Sequence, residues 1–424
     1  MSDSAPTGAF LVPQMSQAEL ARAQRVNQII PSLASAAEAA DRAGRFHLDH
    51  KRLFREQGLL GLVVPKAYGG LGGTLRDLAA ATFAMGTACP STALAYFFHC
   101  SSVSRGLLAL EAAEKGADFD PEARARIHEF GEMILNKMGT EGQYLGNFAS
   151  ESAKSANSSV FISTEATATD QGWRLNGVKA FGCNTGVADA YLITAKLAGY
   201  ETANGIGLFL VPSDTPGIRE RPQWDALGMR ATASHGVILE DVEVPTEAAL
   251  TIPGAFVSMM NMSRGSLLGN QLAISAIYFG AAKQSFDFAM KFTTDTKFRD
   301  TGASIATSPF HQELIGKILA DLETARLWLQ KQLELETAEP PLVPKSDVVR
   351  QWRVAKGEIS EASFRVAQNT LKMCGTSNTG SSSVISRMLR DIAMSLVMAF
   401  PAERGRLEAA KSLVEGQESV TFTV

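Results

Sequence analysis

At 424 residues the chain exceeds what one compact core holds, and 45% hydrophobic with 20% charged residues is ordinary globular composition, so two or three domains are expected and extensive disorder is not. The net charge of -4, with basic residues dispersed rather than interleaved with aromatics, argues against a nucleic-acid partner. No apolar run reaches the roughly 18–20 residues that span a bilayer, and no basic-then-apolar leader opens the chain. Cys89, Cys100, Cys183 and Cys374 lack CxxC spacing, which argues against zinc or a disulfide framework and predicts a soluble, cytoplasmic protein.

From about Gln14 to Tyr144, Ala and Leu recur at helical spacing, as in AELARAQRVNQIIPSLASAAEAADRA, and predict a helical domain over residues 1–147. Pro65 and the pairs Gly69-Gly70 and Gly72-Gly73 interrupt it. From about Phe148 the period falls to two. In VFISTEATATDQGWRLNGVKAF, Asn176-Gly177 favours a type I′ turn, so a β-hairpin turning there is predicted. GIGLFLVPSD and HGVILEDVEVP read as short strands closed by Pro212 and Pro245, giving a small antiparallel sandwich or barrel over 148–253. Beyond Pro253 the helical period returns. Leu314, Ile318, Leu322 and Ala325 line one apolar face, TAEPPLVPKSD is a Pro-rich loop, and residues 254–424 are predicted to form a bundle of about four helices with surface to spare for oligomerisation.

Three segments within this helix–strand–helix order are recognisable. KAYGGLGGT resembles the PxxYGGxG element of the acyl-CoA dehydrogenase superfamily. WRLNGVKAFGCNTGVADAYLITAKL resembles its W-x-LNG-x-K-x-WITN segment, and WDALGMRATASHGVILEDVEVP resembles its LGMRxSxT…DVxVP segment. The likeness runs from about residue 15 to 412. It implies that family's fold, with FAD held between the β domain and the bundle and completed by a neighbouring subunit. It also implies an acyl thioester against the flavin, a carboxylate that removes the α proton, and a β hydrogen that leaves as hydride.

Carried over residue by residue, the resemblance puts Ser150 at a flavin-contacting hydroxyl and Phe181 at an aromatic that packs on the flavin. Cys183 and Asn184 fall beside the ring, Gly375 at a cofactor-binding glycine, and Arg264 near substrate and chemistry. An Arg amid Met, Ser, Gly and Leu needs a fixed partner or a ligand. His99 lies on a helix approaching the substrate, whereas His235 aligns in a strand remote from the chemistry. The family's usual base, a Glu, falls at Ala399, and a second subgroup's base falls at Ser263. Glu403 and Glu151 are the substitute carboxylates, although Pro401 disfavours a continuous helix to Glu403. The subunit-bridging FAD segments are altered, as in DTKFRDTGASIATS and MCGTSNTG.

Three readings follow. The chain is an acyl thioester dehydrogenase with a displaced base, working as a homodimer, homotetramer or mixed tetramer with a flavin electron acceptor. It is a flavin-dependent monooxygenase, although the C-terminal His of such enzymes is missing, His311 being the last. Or it is a non-catalytic family member.

Overall fold

The computed structural model describes residues 5–116, 119–152, 160–262, 272–416 and 422–423. Two of its first helices begin with the same device. Ser16 accepts from Glu19 N while the Glu19 carboxylate accepts from Ser16 N at 2.7 Å, a capping box that opens α1 (Gln17–Ala43). Thr74 and Asp77 repeat it at α3 (Leu75–Ala88), and Asp77 also binds Arg22 of α1 at 2.6 Å. Between and after them lie α2 (Asp49–Glu56), α4 (Pro90–Lys115) and α5 (Pro121–Gly139). The interruption at Pro65–Gly73 folds back on itself, with Gly72 N donating to Val64 O and Gly73 N to Leu62 O.

The strands are β1 (Leu145–Phe148), β2 (Val160–Phe161), β3 (Glu165–Thr169), β4 (Gly172–Lys179), β5 (Ala190–Leu197), β6 (Ile206–Pro212), β7 (Ile218–Glu220), β8 (Val237–Pro245) and β9 (Ala249–Leu250). The main sheet runs β7-β8-β4-β3-β5-β6-β9, with β1 added beside β5. Its pairings are antiparallel except where β1 and β3 meet β5. One expectation is corrected here. The hairpin turns at Asp170-Gln171, with Thr169 opposite Gly172, while Asn176-Gly177 lies inside β4. There the register against β8 slips between Leu175 and Gly177, and Gly177 has φ 154°. The glycine serves a bulge instead of a turn: a Cβ at Gly177 would stand 2.6 Å from Thr164 Oγ1.

Helices resume with α6 (Ala255–Met262), α7 (Leu272–Asp295), α8 (Pro309–Thr337), α9 (Lys345–Cys374), α10 (Val384–Ala393) and α11 (Ala402–Glu415). A two-residue strand β10 (Phe422–Thr423) pairs in parallel with β2. Leu314, Ile318, Leu322 and Ala325 are all buried on α8, and the Pro-rich segment joins α8 to α9 as the composition predicts. One hydrophobic core unites the N-terminal helices with the sheet. The other joins the bundle to α3 through Leu75, Ala79, Ala80 and Phe83. Where α3 crosses α7 the backbones nearly touch. A Cβ at Gly86 would sit 2.5 Å from Ile277 O, and one at Gly280 would sit 2.3 Å from Phe83 O.

Candidate active site

Two of the three recognisable segments meet at one ledge, while the glycine-rich one at 66–74 packs on Leu62, Val64 and Thr140. β4 ends at Lys179, and the chain then turns through Phe181-Gly182-Cys183-Asn184 before β5. Ala180 N donates to Ser150 O at 3.0 Å, which binds the ledge to the segment that follows β1. Asn184 takes a left-handed conformation, φ 73°, that Asn tolerates better than most residues. Its backbone N donates to Thr232 O and its side-chain Nδ2 to Ala95 O of α4, at 3.2 and 2.9 Å. Thr185 completes the staple: its N donates to Ala233 O, and its hydroxyl accepts from Gly236 N.

The 227–230 segment is in turn fastened to α10. Met229 N donates to Asp391 Oδ1 at 2.6 Å, and Arg390 pairs with Asp41 of α1 at 2.5 Å while donating to Leu227 O. Gly228 permits this contact, since a Cβ there would fall 2.0 Å from Arg390 O. Burial pushes the Asp391 carboxyl up to about 7, although the Met229 N–H pulls the other way. Its role is to hold the ledge's support.

Phe181 is the exposed member of the ledge. Its ring is 52% accessible and meets Trp224 edge-on, 5.6 Å between centroids. Trp224 is oriented by two hydrogen bonds: Nε1 donates to Met229 O, and its backbone N donates to His235 Nδ1 at 2.7 Å. His235 therefore sits in the loop before β8, not in a strand, and acts on the ledge through Trp224. Sequence reasoning missed this because the eleven-residue separation of Trp224 and His235 has no local signature.

Cys183 and Asn184 are buried behind Phe181. The Cys183 thiol is 3.0 Å from the Ser234 hydroxyl, and burial raises it to about 12, which makes it a neutral packing group. Ser150 is exposed at the ledge's edge, and Gly375, φ 65°, ends α9 in open space. Arg264 and Ser263 lie outside the described residues.

The candidate bases are placed elsewhere. Glu151 lies 2.6 Å from Lys179 with both side chains inaccessible, and it also accepts from Ser163 N, the Ser163 hydroxyl and Thr164 N. Burial opposes ionisation, yet Lys179 and these donors hold the Glu151 carboxyl below its ordinary value. Glu403 begins α11 with a side chain 77% exposed, 3.7 Å from Arg406. His99 is fully buried, with Nε2 on Leu60 O at 2.9 Å and Nδ1 accepting from Leu145 N at 3.0 Å. Desolvation pushes it down to about 4, so it is neutral and both ring nitrogens are spent inside the fold. His311 accompanies the Ser308 cap of α8.

Ala399 occupies an exposed loop with φ 64°. Lys356 of α9 anchors both ends of this loop, donating to Ser395 O at 2.7 Å and to Phe400 O. Tyr278 OH donates to Met398 Sδ at 3.0 Å. The loop is braced, and Ala399 presents a methyl group on it. Among the described residues no group of three potential metal ligands comes together, and no helix is long and apolar enough to cross a membrane.

The match to known proteins agrees with this arrangement. Residues 18–122, 148–242 and 272–399 match the N-terminal, middle and C-terminal domains of acyl-CoA dehydrogenase. The chain belongs to the acyl-CoA dehydrogenase family. A probable acyl-CoA dehydrogenase, YngJ of Bacillus subtilis (strain 168), is 26% identical over 384 residues, 90% of this chain and 94% of YngJ. Among solved structures, butyryl-CoA dehydrogenase from Megasphaera elsdenii superposes with a TM-score of 0.77 at 20% identity, covering 95% of this chain and 99% of that one. Dibenzothiophene monooxygenase (TdsC) from Paenibacillus sp. A11-2 gives 0.76 at 21%, covering 96% and 100%, and TdsC has also been solved with FMN bound. These structural likenesses establish the fold: helical N- and C-terminal regions around a curled sheet, shared by dehydrogenases and a monooxygenase.

Proposed function

We propose that this chain is an FAD-dependent oxidoreductase that carries out α,β-dehydrogenation of an acyl thioester, in the manner of fatty acid metabolism. The observation that carries the reading is the ledge, an exposed aromatic ring held by backbone staples from β4, the 232–236 segment and α4. A large aromatic left half-exposed and oriented by an ordered neighbour suits a flat ring ligand.

The residues present fit a flavin. Phe181 offers a ring face, Ser150 an exposed edge residue with a hydroxyl and Gly375 an uncrowded helix end, whereas Cys183 and Asn184 shape the ledge from behind. FAD, when bound, supplies hydride acceptance. The chain's own residues position the ring, exclude water behind the ledge and hold the Ala399 loop. Arg264 is assigned to the substrate side, so Arg264→Ala abolishes substrate-dependent flavin reduction while leaving FAD bound. Homodimeric, homotetrameric or mixed assembly, a flavin electron acceptor, the division at 147/148 and 253/254, and a cytoplasmic setting belong to the same proposal. The four cysteines, all buried and unpaired, suit a reducing compartment.

One observation favours a second reading. Ala399 carries no carboxylate, Glu151 is locked to Lys179, and Glu403 faces solvent. A flavin monooxygenase on this fold needs no α-proton base. The visible spectrum of the purified chain, before and after anaerobic addition of an acyl-CoA panel, separates the cases. Bleaching supports the dehydrogenase. Stable flavin bands with oxygen consumption by the reduced protein support the monooxygenase. Absence of flavin from the isolated chain points to a mixed oligomer or a non-catalytic member.

A further inference from the structure

Arg105 is a buried cation without an anion. It lies on α4, only 6% exposed. Its guanidinium donates to the Met260 thioether at 3.2 Å and stands 5.6 Å from the Phe256 ring, both on α6. Its Nε has no hydrogen-bond partner, and among the described residues no carboxylate pairs with it. A thioether is a weak acceptor. Taking a guanidinium out of water costs several kcal/mol unless an anion and good hydrogen bonds compensate. Desolvation alone pushes its pKa down to about 10, which leaves it charged at neutral pH. Arg387 of α10 shares part of this situation, 7% exposed with no partner at Nε, whereas other inaccessible charges are compensated. Lys179 has Glu151, Asp77 has Arg22, and Lys356 has two carbonyls.

Its position relative to the ledge indicates which part of a ligand would meet it. Ala95 of α4 receives Asn184 Nδ2 from the ledge, and Arg105 is ten residues further on. At 1.5 Å per residue that is about 15 Å along the helix. Phe98, Ser102 and Arg105 recur at spacings of four and three, on one face. α6, packed against α4 at Arg105, contributes Met259 and Met260, side chains that adapt to varied ligand shapes. A negative charge reaching Arg105 therefore belongs to the far end of a ligand whose reacting end lies at the ledge.

Resting on the acyl-thioester reading, we propose that Arg105 receives an anionic terminus of the acyl group, so that the preferred substrates are thioesters of dicarboxylic acids. An Arg fork suits a carboxylate because it can bind both oxygens at once. A methyl-ended chain of the same length would leave the guanidinium uncompensated.

The test compares suberoyl-CoA with octanoyl-CoA, and adipoyl-CoA with hexanoyl-CoA, by equilibrium binding to the full chain. The wild type, Arg105→Met and Arg105→Gln are measured, with free suberate as a further probe. The wild type should bind the carboxylate-ended member of at least one pair tenfold or more tightly, and both neutral variants should lose that advantage. Arg105→Met should melt no lower than wild type, since an apolar replacement of a buried unpaired charge removes a desolvation cost; should it fail to fold, Arg105→Gln carries the comparison. Equal affinities in the wild type, or a preference that survives both substitutions, overturn the proposal. If no thioester binds, the acyl-thioester reading fails. In that case suberate that raises the melting temperature of the wild type and not of the variants keeps the carboxylate site, and no effect of suberate overturns it.

Discussion

Glu151 and Lys179 lie 2.6 Å apart, with side chains 2% and 0% exposed. One follows the Ser150 edge of the ledge, and the other is the last residue of the strand that delivers the ledge. Removing one member of such a pair leaves a buried charge uncompensated, at a cost of about 3–5 kcal/mol. Lys179→Met should lower the stability measured by urea denaturation by that order, and Glu151→Gln on top of it should restore most of the loss. A cost below about 1 kcal/mol would show that water reaches the pair. Glu151→Gln alone should leave substrate-dependent flavin reduction intact, and its loss in a protein that stays folded with flavin bound would return Glu151 to the candidate bases.

Stability on acidification is set by opposing groups. His50 and His99 are held neutral by desolvation, which pushes each down to about 4 from 6.5. The unfolded chain binds their protons first, so the stability they contribute is present above pH 6.5 and lost towards pH 4. Asp391 runs the other way. Raised to about 7, its contribution is present at low pH and lost as pH rises through 7. Of these three groups, between pH 4 and 6.5 two protons favour the unfolded chain and one favours the folded, a net loss of about 1.4 kcal/mol per pH unit on acidification, to which His235, also lowered by burial, adds. Asp391→Asn should steepen that loss, and a shallower slope in guanidinium titrations at pH 4.5, 5.5 and 6.5 would contradict the assignment.

Lys356 governs the loop at Ala399. Its ammonium serves Ser395 O and Phe400 O from inside the protein and stands 5.3 Å from the Phe400 ring. Lys356→Met leaves two carbonyls unserved, each worth about 1–3 kcal/mol when buried. Amide hydrogen exchange should accelerate over residues 396–400 more than in α8. Uniform acceleration across the bundle would mean that the lysine supports global stability and not the loop.

Ala399 already pays for its left-handed backbone, so a longer side chain there adds little strain. Under the dehydrogenase reading, Ala399→Glu supplies a carboxylate on a braced loop. The rate of anaerobic flavin bleaching should then rise at least tenfold, within the usual reach of general-base catalysis. An unchanged rate with a bound acyl thioester would place the reacting carbon away from this loop.

The architecture was largely legible because it is written in periods. Leu314, Ile318, Leu322 and Ala325 sit where the helical repeat puts them, and Pro212 and Pro245 end β6 and β8. Asn176-Gly177 misled because a glycine with positive φ serves a bulge as readily as a turn; only the pairing of β4 with β8 distinguishes them. At the site, motif order located the ledge, but the fates of individual side chains depended on distant partners. His99 is fixed by Leu60 and Leu145, Trp224 by His235, and Glu151 by Lys179. Arg105 escaped notice because an arginine's want of a partner is visible only once its neighbours are placed.

The glycine crossing of α3 over α7 bears on how a ligand gets in. With backbone against backbone at Gly86 and Gly280, α3 and α7 have no slack at their crossing and form one frame. Room for entry and departure is then to be sought away from that crossing, and local exchange rates in α6 would report it. A side chain as small as alanine at Gly86 or Gly280 would wedge the frame and alter the width of the route, although neither residue touches the ledge.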